Sequence, residues 1–297
     1  FIDKQGRLII PFQFSDGTDF VSGLAGVLKN NMCGYIDPKG KLVIPLKYDE
    51  VNTFRFGWGN VKREGAWTFV DVHGKELGQW FGDSKSFSEG LAVVAPVPAE
   101  EGGVKEALRY GFLDTAGKMA IAPLYEDARP FSTGYAAVRV NKKWGYINKT
   151  GKMVIQPQFD AAGPFSEGLA QIQIGTKMGY IDETGTMVIE PRFELDTQQE
   201  DPDEEIEMTG KFVDGLACVR FAVGPESNGG WGFIDKTGKF AIPPRYENAD
   251  MFAEGLASVQ YKGKWGFVDP KGNLVIPAKY DSVKRFSEGL AMVEGGR

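Results

Sequence analysis

The sequence predicts an all-β tandem repeat, and three observations predict it. An aromatic–apolar–Asp triplet recurs at almost constant spacing, a glycine-containing turn follows it, and 39 glycines and 21 phenylalanines are spread along the whole chain. Regular turn signals between short apolar runs mark many short strands joined by tight turns.

The triplets are Phe1-Ile2-Asp3, Tyr35-Ile36-Asp37, Phe69-Val70-Asp71, Phe112-Leu113-Asp114, Tyr146-Ile147-Asn148, Tyr180-Ile181-Asp182, Phe233-Ile234-Asp235 and Phe267-Val268-Asp269. The steps between their aromatics are 34, 34, 43, 34, 34, 53 and 34 residues. Eight units of about 34 residues are therefore expected in one array over residues 1–297, with insertions in the two long steps. Two positions before the aromatic stand Trp67, Trp144, Trp231 and Trp265, replaced by Cys33, Tyr110 and Met178 elsewhere; the residue between is Gly except at Thr68.

Turn chemistry assigns the strands. Asp37-Pro38-Lys39-Gly40 and Asp269-Pro270-Lys271-Gly272 put Pro where φ is preset and Gly where φ must be positive, as in a hairpin turn of type I followed by a bulge. The leading Asp can accept hydrogen bonds from the turn backbone. The Trp-Gly-aromatic strand should thus pair with the run ending in Ile44-Pro45, Ile121-Ala122-Pro123, Ile155-Gln156-Pro157, Ile242-Pro243 or Ile276-Pro277, where Pro suits a strand end or edge. An aromatic follows (Tyr48, Tyr125, Phe159, Tyr246, Tyr280), then Phe-Ser-Glu-Gly-Leu-Ala, clearest at 165–170 and 286–291. The alternating runs at 169–174 and 256–261 lead through a second turn, Asn141-Lys142-Lys143 or Lys262-Gly263-Lys264, to the next strand. Each unit reads as a three-stranded antiparallel meander plus a short loop.

A chain of this length seldom folds alone, the usual floor being roughly 40 residues, so neighbouring units must share their cores. The chain opens on a second strand, at Phe1, and closes on a first strand, at Leu290 to Glu294. That phase favours a propeller-like ring completed by both ends over an open β-solenoid with polar caps. The start without Met keeps a piece of a longer array as the competing expectation.

Composition excludes several functions. The chain is 42% hydrophobic and 25% charged with a net charge of −6, and no cluster of Lys and Arg could neutralise a run of phosphates, so nucleic acid is not expected as a partner. Its apolar runs are strand-sized, so no membrane-spanning segment is expected. Cys33 and Cys218 fall at different repeat positions and read as two buried free thiols.

Lys143-Trp144-Gly145-Tyr146-Ile147, Gly230-Trp231-Gly232-Phe233-Ile234-Asp235 and Lys264-Trp265-Gly266-Phe267-Val268-Asp269, with the Gly-Lys, Ile-Pro and Phe-Ser-Glu-Gly-Leu-Ala that follow, closely resemble the WG repeat, also called KWG repeat, of bacterial proteins. The resemblance covers essentially the whole chain. It departs at Cys33 and Met178, and in the third unit, where Leu77-Gly78-Gln79-Trp80 replaces the Ile-Pro-aromatic pattern. It implies modules of surface-associated or multidomain bacterial proteins, an exported or surface location before a cytoplasmic one, and no shared catalytic residues.

Nothing in the residues demands catalysis. The one histidine, His73, lies in a turn, which leaves a Ser-His-Asp arrangement without a second candidate and excludes His-rich metal sites; no phosphate-binding Gly loop and no cofactor motif is present. Glu89, Glu167, Glu254 and Glu288 recur with the unit and read as parts of its own folding. Function is expected where units differ. Insertions at 95–109 and 222–230 lengthen the same hairpin turn in different units, and the first carries Glu100 and Glu101. The insertion at 195–210 is acidic, with Asp201, Asp203, Glu204 and Glu205; it reads as a solvated loop, and its spacing does not match a twelve-residue Ca²⁺ loop. Trp58 and Trp80 replace smaller or different residues and read as candidate exposed aromatic contacts. These features predict a non-enzymatic scaffold that binds a protein partner through its variable loops. The alternatives are a carbohydrate or cell-wall binding module and a glycosidase using paired carboxylates.

Overall fold

The computed structural model describes residues 10–11, 13–18, 20–98, 100–101, 104–105, 107–194, 210–224, 227–283, 285–286 and 293–294. Among them every regular element is a β-strand, and none is a helix able to cross a membrane. The chain forms two compact units, residues 1–142 with 147–153 and residues 143–146 with 154–297, and each is built from sheets of one plan.

In the second unit that plan is the sheet Asn248–Ala253, Leu256–Tyr261, Lys264–Val268 and Leu274–Tyr280, paired in this order. In the first it is Asp16–Gly17, Ala25–Lys29, Met32–Ile36 and Leu42–Tyr48. The last three strands are the expected meander. The first corrects the expectation of three strands: the stretch read as a loop supplies a short fourth strand. Phe252 pairs with Ala257 and Ala253 with Leu256 around Glu254 and Gly255, whose φ angles are 51° and 82°. Two consecutive positive φ angles make a type I′ hairpin turn, and a glutamate there hides the turn from sequence reading because non-Gly residues seldom adopt that conformation.

The Asp turn forms as expected. In each of seven repeats the side-chain oxygen of Asp37, Asp71, Asp114, Asn148, Asp182, Asp235 or Asp269 accepts from the backbone N–H groups two and four residues on. The core is an aromatic pair found in each of seven described repeats. Tyr35–Phe54, Phe69–Phe87, Phe112–Phe131, Tyr146–Phe165, Tyr180–Phe212, Phe233–Phe252 and Phe267–Phe286 have ring centroids 4.7 to 5.1 Å apart, within the range of favourable edge contacts. The first member is the triplet aromatic; the second is the Phe that opens Phe-Ser-Glu-Gly. Sheet is thereby bound to following sheet through the residues that define the repeat.

The Gly of the Trp-Gly column has a different cause. Trp265 pairs with Tyr280 and Phe267 with Ile276, so two residues of one strand span four of the other, and the Ile-Pro segment bulges. The bulge lies on the glycine: a Cβ on Gly266 would stand 2.5 Å from Ile276 O and 2.7 Å from Ala278 N. Gly34, Gly111, Gly145, Gly179 and Gly232 are crowded by the same backbone atoms. In the third repeat the same four-residue span is kept, with Leu77 N–H donating to Phe69 O and Phe81 pairing with Trp67, but Gly78, at φ 83°, stands in place of the Pro, and Thr68 Oγ1 donates to Gln79 O at 2.5 Å.

Candidate functional site

Most shared side chains are used up by the fold. The Lys that precedes Trp pairs with the acid after the third strand, as Lys143 with Asp160 (2.5 Å), Lys177 with Glu194 and Lys264 with Asp281. The same acidic column accepts turn N–H groups of the first hairpin: Glu126 from Asn141 and Lys142, Asp160 from Gly175, and Glu247 from Gly263. The residue before the third-strand aromatic is cationic at Lys47, Arg192, Arg245 and Lys279, each 5.1 to 5.2 Å above the following ring. Arg245 also donates to Gly272 O, in the next Asp turn, at 2.8 Å.

Glu89 and Glu167, the recurrent carboxylates that invite a catalytic reading, are latches between repeats. Glu89 Oε2 accepts from Gly134 N at 3.1 Å and lies 3.0 Å from Lys149 Nζ; Glu167 Oε2 accepts from Gly215 N at 3.1 Å and lies 3.0 Å from Lys236 Nζ. The serines before them donate to the carbonyl of the next repeat's Phe, Ser88 to Phe131 O and Ser166 to Phe212 O, both at 2.7 Å. Partial burial acts to raise both glutamate pKa values, but the lysine and the turn N–H groups outweigh it and hold them below the ordinary range.

The apolar departures in the turn and cation columns lie in the first unit. At the first central position of the type I′ turn other repeats carry Ser22, Glu89, Thr133, Glu167, Asp214 and Glu254; one carries Phe56, with φ 52° and its side chain 68% exposed. Two residues on, where Leu24, Leu91, Leu169, Leu216 and Leu256 stand, are Trp58 and Tyr135. Trp58 is half-buried with its ring 5.5 Å from that of Phe87, so the ring is anchored rather than free. In the cationic column stand Leu124, 68% exposed, and Trp80.

Trp80 belongs to that column because the third repeat is one residue shorter between its Asp turn and its third-strand aromatic. Leu77 there takes the place of Ile against Gly117, Gln79 donates to Gly117 O at 2.7 Å, and Phe81 pairs with Trp67. Trp80 is half-buried under Arg63, whose guanidinium is 4.5 Å from the ring. Beside it Glu76 gathers Tyr48 OH and Lys47 Nζ at 2.8 Å and Arg63 at 3.5 Å. Burial and the bond to Glu76 push the Tyr48 hydroxyl well above its ordinary pKa. Partial burial acts to raise the Glu76 pKa, and its three partners lower it further than burial raises it.

A family model described as a WG containing repeat matches residues 1–33, 34–67, 110–144, 144–177, 178–195, 231–265 and 265–294. The chain belongs to the WG-repeat family. No curated protein matches the sequence. Among solved structures, the fold is shared with a eukaryotic initiation factor at 11% identity and a TM-score of 0.52, over 85% of this chain and 73% of that one. Looser matches are the extracellular domain of a putative one-component system from B. thetaiotaomicron (10% identity, TM-score 0.42, 90% of this chain and 42% of that chain) and PorZ, described as a bacterial surface component of the type-IX secretion system of Porphyromonas gingivalis (11%, 0.36, 96% and 43%).

Glu100 and Glu101 form one side of a two-stranded hairpin, opposite Lys105 and Val104. The base of that insertion reaches the strand Phe81–Ser84, which follows Trp80: Pro98 and Leu108 lie over Gly82, each 3.1 Å from where its Cβ would be, and Val97 is 57% exposed. The structure thus lays Pro98 and Leu108, at the base of the insertion, on the strand that follows Trp80. Residues 222–230 extend the hairpin of Leu216–Gly224 and Ser227–Asp235, through the pairs Val223 with Asn228 and Gly224 with Ser227. Asp201, Asp203, Glu204 and Glu205 lie outside the described residues. Cys33 and Cys218 are buried free thiols, and no group of metal-ligating side chains is assembled among the described residues. Sequence reasoning missed Phe56, Leu124 and Tyr135. Only a column-by-column register reveals them, because singly exposed apolar residues are ordinary.

Proposed function

We propose that this WG-repeat protein is a non-enzymatic scaffold that binds a protein partner through the surface built from Trp80, Leu124 and the insertion at 95–109. One observation carries this reading: the columns shared by the repeats are occupied with folding, while Trp80 and Leu124, apolar in a column that is cationic in four repeats, and the added hairpin fall within residues 80–124 of the first unit. A rigid repeated frame that displays a local variation is how repeat proteins present binding surfaces. Assignment of Glu89 and Glu167 to latches supports the absence of turnover, since these carboxylates are already engaged by Lys149 and Lys236.

The test is capture from source-cell extract by the intact protein and by two variants, one with 95–109 cut to consensus hairpin length and one carrying Leu124→Lys. A partner retained by the intact chain and lost from both variants is the expected result. Capture unchanged in both variants would overturn the reading. We further propose an exported or surface location, which the WG-repeat resemblance favours and which protease shaving of intact source cells would check.

A further inference from the structure

The type I′ turns of the first unit carry a second group of departures. Phe56 is a bulky residue held in the left-handed region, a conformation that costs about 1–2 kcal/mol for non-Gly residues, and most of its ring faces solvent. Other repeats fill this position with small or polar residues, and two of them use a glutamate there to latch the next repeat. Folding alone therefore favours a polar residue at position 56. Trp58 follows at once, anchored on Phe87, and Tyr135 takes the corresponding leucine position two repeats on. Between them lies the turn of Ser88, Glu89 and Gly90, where Glu89 reaches Gly134 N, the neighbour of Tyr135. The row thus runs from aromatic rings, across a carboxylate and ammonium pair formed by Glu89 and Lys149, to a further aromatic.

We propose that this row, Phe56, Trp58, Glu89, Lys149 and Tyr135, is a binding site for a neutral oligosaccharide. A sugar chain offers flat apolar C–H faces that stack on aromatic rings, with hydroxyl groups at the ring edges that bond to charged or amide groups. The row offers the same alternation. A peptide strand would need unpaired backbone groups to extend a sheet. Here the turn backbones are closed on themselves: Arg55 and Trp58, Ser88 and Leu91, and Ser132 and Tyr135 each exchange both N–H···O bonds. Glu89 and Lys149 are paired at 3.0 Å, so neither offers an uncompensated charge to an anion or a cation. The site is independent of the protein-binding surface proposed above, so either can fail alone.

The test is calorimetric titration of the intact protein with cellohexaose, maltohexaose and chitohexaose, and with a galacturonate hexamer as the charged control. Phe56→Asn keeps a residue that accepts positive φ, and Trp58→Leu restores the common residue of that column. We expect binding of at least one neutral hexasaccharide, accompanied by a change in tryptophan fluorescence. Either substitution should weaken it tenfold or more, and Phe56→Asn should leave the melting temperature unchanged or higher. The proposal is overturned by no heat with any of the three neutral sugars, by equal or stronger binding of the galacturonate, or by undiminished binding in Phe56→Asn.

Discussion

Gly266→Ala tests the physical meaning of the Trp-Gly column. The added Cβ would stand 2.5 Å from Ile276 O, 2.7 Å from Ala278 N and 2.8 Å from Pro277 C, all backbone atoms. None can rotate away as a side chain could, and the pairs Trp265 with Tyr280 and Phe267 with Ile276 fix the bulge on both sides. Relief requires the bulge to shift by several tenths of an ångström, which places the cost at the upper end of overpacking, about 2–3 kcal/mol. For a unit of this size that corresponds to a fall in Tm on the order of 5–10 °C. Gly168→Ala supplies the contrast: its φ is +86° but nothing lies within 4 Å of a Cβ, so only backbone strain of about 1 kcal/mol applies. Calorimetric melting of both variants, with amide hydrogen exchange to localise the damage, decides between them. If Gly266→Ala costs no more than Gly168→Ala, close approach of the bulge is not the reason for the glycine.

The glutamate latch should show as a coupling: in a double-mutant cycle, Glu167→Gln and Lys236→Met should interact by about 0.5–1 kcal/mol in urea unfolding, the modest figure reflecting partly exposed partners, and zero coupling would refute the ion pair. Because the folded pKa values of Glu89 and Glu167 lie below the ordinary glutamate value of about 4.3, their contribution is complete above that pH and is lost as the pH falls through the lower folded values. Acid titration followed by near-ultraviolet circular dichroism should therefore show a shallower loss of stability below about pH 4 in the Glu89→Gln, Glu167→Gln double variant than in the parent. Leu124→Lys restores a cation before Tyr125, as in four other repeats, and should raise stability by about 0.5 kcal/mol; a loss of stability would mean that Leu124 is packed in the free protein.

The strands of the meander and their order were legible because spacing, turn chemistry and alternation agreed in most units. Asp37-Pro38-Lys39-Gly40 named its own turn, and the side chain of Asp37 does accept the two predicted bonds. The short leading strand was not legible. Its turn is closed by glutamate or aspartate in a conformation that sequence rules reserve mostly for glycine and asparagine, so Ser-Glu-Gly read as a loop. The latches were hidden for another reason: a carboxylate that recurs with the repeat signals importance to folding, but which N–H it serves depends on the stagger of neighbouring sheets, which no local pattern encodes. Trp58 and Trp80 were found as departures, yet their anchoring on Phe87 and under Arg63 required the register of the third repeat.

That repeat also shows how to separate structural departures from functional ones. Thr68 replaces the column glycine in the one described repeat whose bulge carries Leu77-Gly78-Gln79 in place of Ile-Pro, and the two changes answer one another: Gly78 takes φ 83°, and Thr68 Oγ1 donates to Gln79 O. Leu77 fills the place of Ile against Gly117, and Gln79 replaces the long cation in reaching Gly117 O. These substitutions compensate each other and leave the frame satisfied. Phe56 and Leu124 have no such answer: each puts a large apolar surface into water at a position where other repeats make an ion pair, a turn bond or a cation–ring contact. A departure repaired within the fold explains itself by packing. One that leaves apolar area exposed is not repaired within the fold, and at Phe56 it comes with a positive φ as well, which is why the two surfaces proposed here are centred on these residues.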